Sequence, residues 1–146
     1  MDLMARIVHA ITVTHPLHTL MVHFPIALTA TAALYYVLAV WRRSQALENA
    51  AFFNLALAAV STVVAGITGY RDNIVRFDGM APYVGAKIIL ATTLLILTTV
   101  TSVVRLRQRQ VVWKPTAMVL YLAAFGACFV LAATLGFIGG AIIYGF

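Results

Sequence analysis

Three histidines, His15, His18 and His23, fall within one short stretch, HPLHTLMVHFPIA at residues 15–27, which also holds two of the chain's four prolines. Imidazole ligates haem iron, copper or zinc and exchanges protons near neutral pH, so a cluster of this kind is the chain's best candidate for chemistry. His15 and His18, three residues apart, share a helical face, whereas His23 lies five beyond His18 and points about 140° away on a regular helix. The spacing matches no standard zinc signature, and no cysteine or glutamate stands close by to complete a ligand set. Two readings stay open. In one, His18 or His23 is an axial haem ligand or part of a copper or zinc site near the outer surface. In the other, the histidines begin a helix at the interface and are hydrogen-bonded to each other, to the Met21 carbonyl that Pro25 frees, or to the loop at 70–82. A haem held by two histidines inside a bundle draws them from different helices, and no histidine follows His23 in the chain, so a cross-helix bis-histidine haem is disfavoured.

The elements that must position these residues are built of lipid-grade sequence. The 146 residues are 63% hydrophobic and only 10% charged, against about 25% charged in a soluble domain. An all-α integral membrane four-helix bundle is expected, with a short interfacial helix before it and the lipid bilayer as its solvent. Residues 2–14 place Leu3, Met4, Ile7, Ile11 and Thr14 on one stripe, with Arg6 and His9 off it, which suits a helix lying at the membrane surface. Spans are expected at about 17–41, 47–69, 83–104 and 116–144, each long enough at 1.5 Å per residue to cross a hydrocarbon core of about 30 Å. Pro25 predicts a kink in the first span. Tyr35, Tyr36 and Trp41 read as an aromatic belt at its far end. Small residues on the second span (Ala58, Ser61, Ala65, Gly66, Gly69) and the Gly136–Gly140 pair on the fourth suit close helix packing.

Few polar groups interrupt the spans. Lys87 sits about a turn inside the third, where it either snorkels to the headgroups or pairs with Asp72 or Asp78. The ten Lys and Arg against four Asp and Glu stand at the ends of apolar runs, which is topology information, and no nucleic-acid partner is expected. Arg42, Arg43, Arg105, Arg107, Arg109 and Lys114 all flank the two short loops. The positive-inside rule therefore predicts those loops in the cytoplasm, with both termini and the histidine stretch on the periplasmic side of a bacterial inner membrane. Cys128 lies within the last apolar run and reads as a small buried residue. Phosphate loop, nucleophile triad and paired carboxylates are all missing, so enzymatic chemistry of its own is not expected.

The runs HPLHTLMVHFPIALTATAALYYVLA at 15–39, AGITGYRD at 65–72 and GFIGGAIIYGF at 136–146 resemble the DUF2231 family of small four-span bacterial membrane proteins. The resemblance implies that His15, His18, His23 and Pro25 form the opening motif, Gly69 and Asp72 a turn ending the second span, and Gly139, Gly140 and Tyr144 a terminal motif. Thr19 stands where that pattern usually has a second proline, and Lys87 where many members carry a histidine. Because members of the family occur fused to redox modules, the resemblance implies a place in membrane electron transport with b-type haem as a candidate cofactor. The expected function is accordingly a small component of a membrane electron-transfer system, with an outward-facing histidine site for haem, metal or quinone. The alternative is an accessory subunit without a cofactor, structural in a larger respiratory or photosynthetic complex.

Overall fold

Ser44 sets the first turn of the bundle. Its hydroxyl accepts from Leu47 N at 3.4 Å, and Arg43 before it takes a left-handed backbone (φ 51°). That two-residue reversal ends helix α1 (Leu17–Arg42) and starts helix α2 (Gln45–Phe77) antiparallel to it. A serine at this position satisfies one of the donors that every helix start leaves open. Helix α3 (Val84–Arg107) and helix α4 (Pro115–Tyr144) follow, joined by a 3₁₀ turn over Val111–Trp113. Pro115 occupies the first turn of α4, where its missing N–H costs nothing. The computed structural model describes residues 2–5 and 17–144, with the side chains of Ile143 and Tyr144 outside the description. Residues 3–5 are helical; the rest of the expected interfacial helix, together with His15 and Pro16, lies outside the described residues.

All four helices are long and apolar enough to cross a membrane. They close into a ring in which α1 packs on α2 and α4, and α3 packs on the same two. Helix α2 differs most from expectation. Its 33 residues run about 50 Å at 1.5 Å per residue, well past the hydrocarbon thickness, and continue through Tyr70–Phe77, where a loop was expected from residue 70. Loss of hydropathy marks where a span leaves the lipid, but it does not break a helix. What stops α2 is the consecutive left-handed pair Asp78 (φ 49°) and Gly79 (φ 80°), whose N–H groups turn back to the Asn73 carbonyl. The connection to α3 is thereby shortened to 78–83.

The core runs along the inner faces of the ring, through Ala32, Leu55, Leu94, Phe125, Cys128 and Ala132. Tyr36 belongs to it, not to an interfacial belt. It is 1% exposed, stacks on Phe125 at 4.7 Å, and its hydroxyl donates toward the carbonyls of Val112 and Met118. The reason is register: Tyr36 falls on the stripe of Thr29, Ala32 and Ala39, the buried face of α1, whereas Trp41 falls off it and is exposed. Glycine register decides packing in the same way. A Cβ at Gly136 would stand 2.5 Å from Ile26 Cδ1, so α1 approaches α4 there. Gly66, Gly126, Gly139 and Gly140 have nothing within 4 Å of such a Cβ, so of the Gly136–Gly140 pair only Gly136 meets a neighbouring helix among the described residues.

At the end carrying the short loops, α2 and α3 are joined by a buried ion pair. Arg105 donates from Nε to Glu48 Oε1 at 3.0 Å and from Nη2 to Oε2 at 2.8 Å, with Nη2 also on Asn49 Oδ1. Gln45 donates to Glu48 and accepts from Trp113 Nε1, and the guanidinium lies over the Phe52 ring at 4.4 Å. Glu48 is 2% exposed and Arg105 7%, so each charge relies on the other. Removing one partner from a buried pair costs about 3–5 kcal/mol, whereas replacing both with apolar residues is often neutral. Glu48→Ala is therefore expected to destabilise the bundle by about that amount. Glu48→Leu combined with Arg105→Met should recover most of the loss, both read by denaturant titration in detergent micelles.

Candidate functional site

His18 sits in the first turn of α1, where backbone N–H groups have no partner within the helix. Its N–H donates to Asp72 Oδ2 at 3.1 Å, so a carboxylate from α2 caps α1. Asp72 is buried inside α2 and keeps its other oxygen on Arg71 at 3.4 Å. The imidazole then reaches back along α2, with Nδ1 2.9 Å from the Ala65 carbonyl oxygen. A carbonyl only accepts, so Nδ1 carries the hydrogen, and the neutral ring must present a bare lone pair at Nε2. Facing that lone pair is Lys87 Nζ of α3, at 3.4 Å. One residue thus ties three helices by backbone, ring nitrogen and ring nitrogen.

This arrangement needs Gly69. A Cβ there would stand 2.9 Å from His18 Cε1 and 3.0 Å from Nδ1, so the ring lies flush against the α2 backbone only because no side chain intervenes. The ring carries its own packing requirement into the sequence one helix away.

His18, Asp72 and Lys87 form a polar patch in a half-open cavity of about 210 Å³ to which all four helices contribute. The remaining wall is almost wholly apolar, including Val22, Pro25 and Ile26 of α1, Ile88, Ala91 and Leu94 of α3, and Ala132 and Leu135 of α4. Pro25 is buried in that wall, and its carbonyl accepts from Thr29 at 2.7 Å. His23 is not brought to the cavity. It is exposed, and its Nδ1 donates to its own helix at the Thr19 carbonyl, 2.6 Å away. The ion pair considered for Lys87 with Asp72 does not form: the ammonium meets His18, because Asp72 is spent on the α1 N-terminus and on Arg71. Among the described residues, no group of three or more His, Cys, Asp or Glu is placed to hold a metal ion.

Two features escaped the sequence. The Ala65 carbonyl that fixes the imidazole is a backbone atom with no residue signature. The Glu48–Arg105 pair did leave a signal, since Glu48 is the one acid beside the six basic residues that flank the two short loops.

The Gly69 contact is testable against its neighbour. Gly69→Ala is expected to cost about 1–3 kcal/mol by overpacking and to shift the ¹⁵N resonances of His18 as the Ala65 bond loosens. Gly66→Ala, facing open space, should stay within about 0.5 kcal/mol and leave those resonances in place.

Residues 14–146 match the family described as Predicted membrane protein (DUF2231). No curated protein and no solved structure matches the chain.

Proposed function

The chain belongs to the DUF2231 family of predicted membrane proteins, and from its own geometry we propose that it is a membrane component of an electron-transfer system that binds the head group of a quinone at His18 and Lys87. The observation behind this reading is the convergence of a hydrogen-bond acceptor, His18 Nε2, and a charged donor, Lys87 Nζ, 3.4 Å apart at the polar end of an apolar cavity. Pockets for small amphiphiles have this character, apolar walls with a few polar groups that fix orientation. Lys87 donates to a carbonyl oxygen of the oxidised form, and the His18 lone pair accepts from a hydroxyl of the reduced form. A pair of that kind recognises both redox states once Lys87 Nζ turns from the His18 lone pair to the ligand, and the apolar walls face the tail. By the positive-inside rule the basic end lies in the cytoplasm of a bacterium, which puts the histidine end toward the periplasm.

A haem does not fit these groups as placed. Lys87 Nζ occupies the position in front of His18 Nε2 that iron would need, and the helices that follow α1 supply no second imidazole.

A second reading has its own support. The His18 N–H, Nδ1 and Nε2 are each met by a neighbouring helix, so the joint is satisfied with nothing bound, as suits a cofactor-free accessory subunit within a larger respiratory or photosynthetic complex. Binding of a short-chain quinone to the protein in lipid nanodiscs separates the two. On the quinone reading Lys87→Leu weakens binding about tenfold, the loss of one charge-assisted hydrogen bond, while His23→Ala leaves it unchanged. Absence of saturable binding to the unaltered chain would leave the accessory reading in possession.

A further inference from the structure

The basic end carries a second recess, of about 390 Å³, at the start of α2 and the end of α3, lined by Asn49, Phe53, Arg105, Arg109 and Gln110 together with Gln45. Its chemistry differs from that of the histidine cavity. Glu48 takes Nε and Nη2 of Arg105, and no partner meets Nη1 among the described residues. Asn49 accepts from Arg105 and Gln45 through Oδ1, and its Nδ2 has no partner among the described residues. Arg109 and the Gln110 amide are exposed at the rim. The recess therefore gathers N–H donors; of the acceptors around it, Glu48 and the oxygens of Asn49 and Gln45 are already in use, and the Gln110 amide presents its N–H groups as well as its oxygen.

Charge points the same way. Six basic residues stand at this end of the bundle against Glu48 alone, and Glu48 is neutralised by Arg105, so the field at the recess is positive. Guanidinium groups offer a planar fork of donors that matches a phosphate. Below Arg109 the wall changes character: Phe53, one helical turn from Asn49, is 63% exposed and faces outward with the other apolar side chains of α2. Donors above and an exposed aromatic below is the layout of a headgroup resting on its own acyl chain, and basic pockets between transmembrane helices hold anionic headgroups.

We propose that this recess is a phosphate oxyanion site, built on Arg105 Nη1, Arg109 and the amides of Asn49 and Gln110, and filled by the headgroup of an anionic phospholipid. Arg105 is held in place by Glu48, so the buried pair that joins α2 to α3 also aims the site.

Native mass spectrometry of the full chain, released from detergent after exposure to equal amounts of phosphatidylglycerol and phosphatidylcholine, tests this. Selective retention of phosphatidylglycerol is expected, reduced about fivefold by Arg109→Gln. Arg107→Gln serves as the control: it removes the same charge from the same end, outside the recess, and should have the smaller effect. Equal loss in the two variants would mean diffuse surface attraction and would overturn the site, as would equal retention of the two lipids. Inorganic phosphate added to lipid-stripped protein distinguishes the source. Thermal protection by phosphatidylglycerol alone supports the lipid headgroup; equal protection by inorganic phosphate would overturn the lipid assignment and leave a site for soluble phosphate.

Discussion

Everything at the histidine end depends on one hydrogen bond, from His18 Nδ1 to the carbonyl of Ala65 on the neighbouring helix. In a bilayer such a bond has no water competing for either partner, and a polar group left without one is expensive. Its consequence is chemical as well as structural. By spending the hydrogen of Nδ1 on a fixed acceptor, the protein leaves Nε2 as an acceptor and aims it at Lys87 and the cavity. The other features at that end serve this bond: Gly69 clears the room for the ring, and Asp72 anchors the turn of α1 from which the ring projects.

The two ends of the bundle solve the same problem differently. At the basic end Glu48 and Arg105 are almost completely enclosed and meet in a two-bond fork, closed off on one side by Trp113 through Gln45. At the histidine end the charges are spread over separate contacts, Lys87 on a ring nitrogen and Asp72 on a backbone N–H and on Arg71, beside empty volume. The fork stabilises one arrangement and leaves Arg105 only its Nη1 to offer a ligand. The looser set keeps a donor and an acceptor in reach of whatever enters the cavity. Between the two ends, Thr29, Thr62 and Thr98 return their hydroxyls to their own helices, so the middle of the membrane offers no continuous polar path through them.

The spans were legible because a helix that crosses lipid must be about 20 residues of apolar sequence, a constraint that leaves a plain signature. Their ends were less so. Helix α2 runs to Phe77 because nothing in Tyr70–Arg76 forbids helix, and hydropathy reports the solvent rather than the backbone. His18, Asp72, Lys87 and Gly69 were all singled out by type, but their pairing was not: whether Lys87 meets Asp72 or His18 depends on which helices are neighbours and at what height. The same limit applies to glycines, since spacing marks Gly136 and Gly140 as a pair while only tertiary register shows that one faces Ile26 and the other open space. Tyr36 carries two opposing signals, nearness to a span end, which suits a belt, and a place on the buried stripe of α1, and in the packed bundle the stripe prevails.

The claim that His18 and Lys87 form the polar end of a quinone cavity is tested most directly by photolabelling. A quinone carrying an azide on its ring would be activated in membranes containing the protein, and the modified peptides would then be sequenced. Labelling concentrated on residues 18–26 of α1, 65–73 of α2 and 84–91 of α3, and displaced by excess unlabelled quinone, is the result this structure leads us to expect. Labelling spread over the lipid-facing surfaces of all four helices, undiminished by competitor, would contradict it.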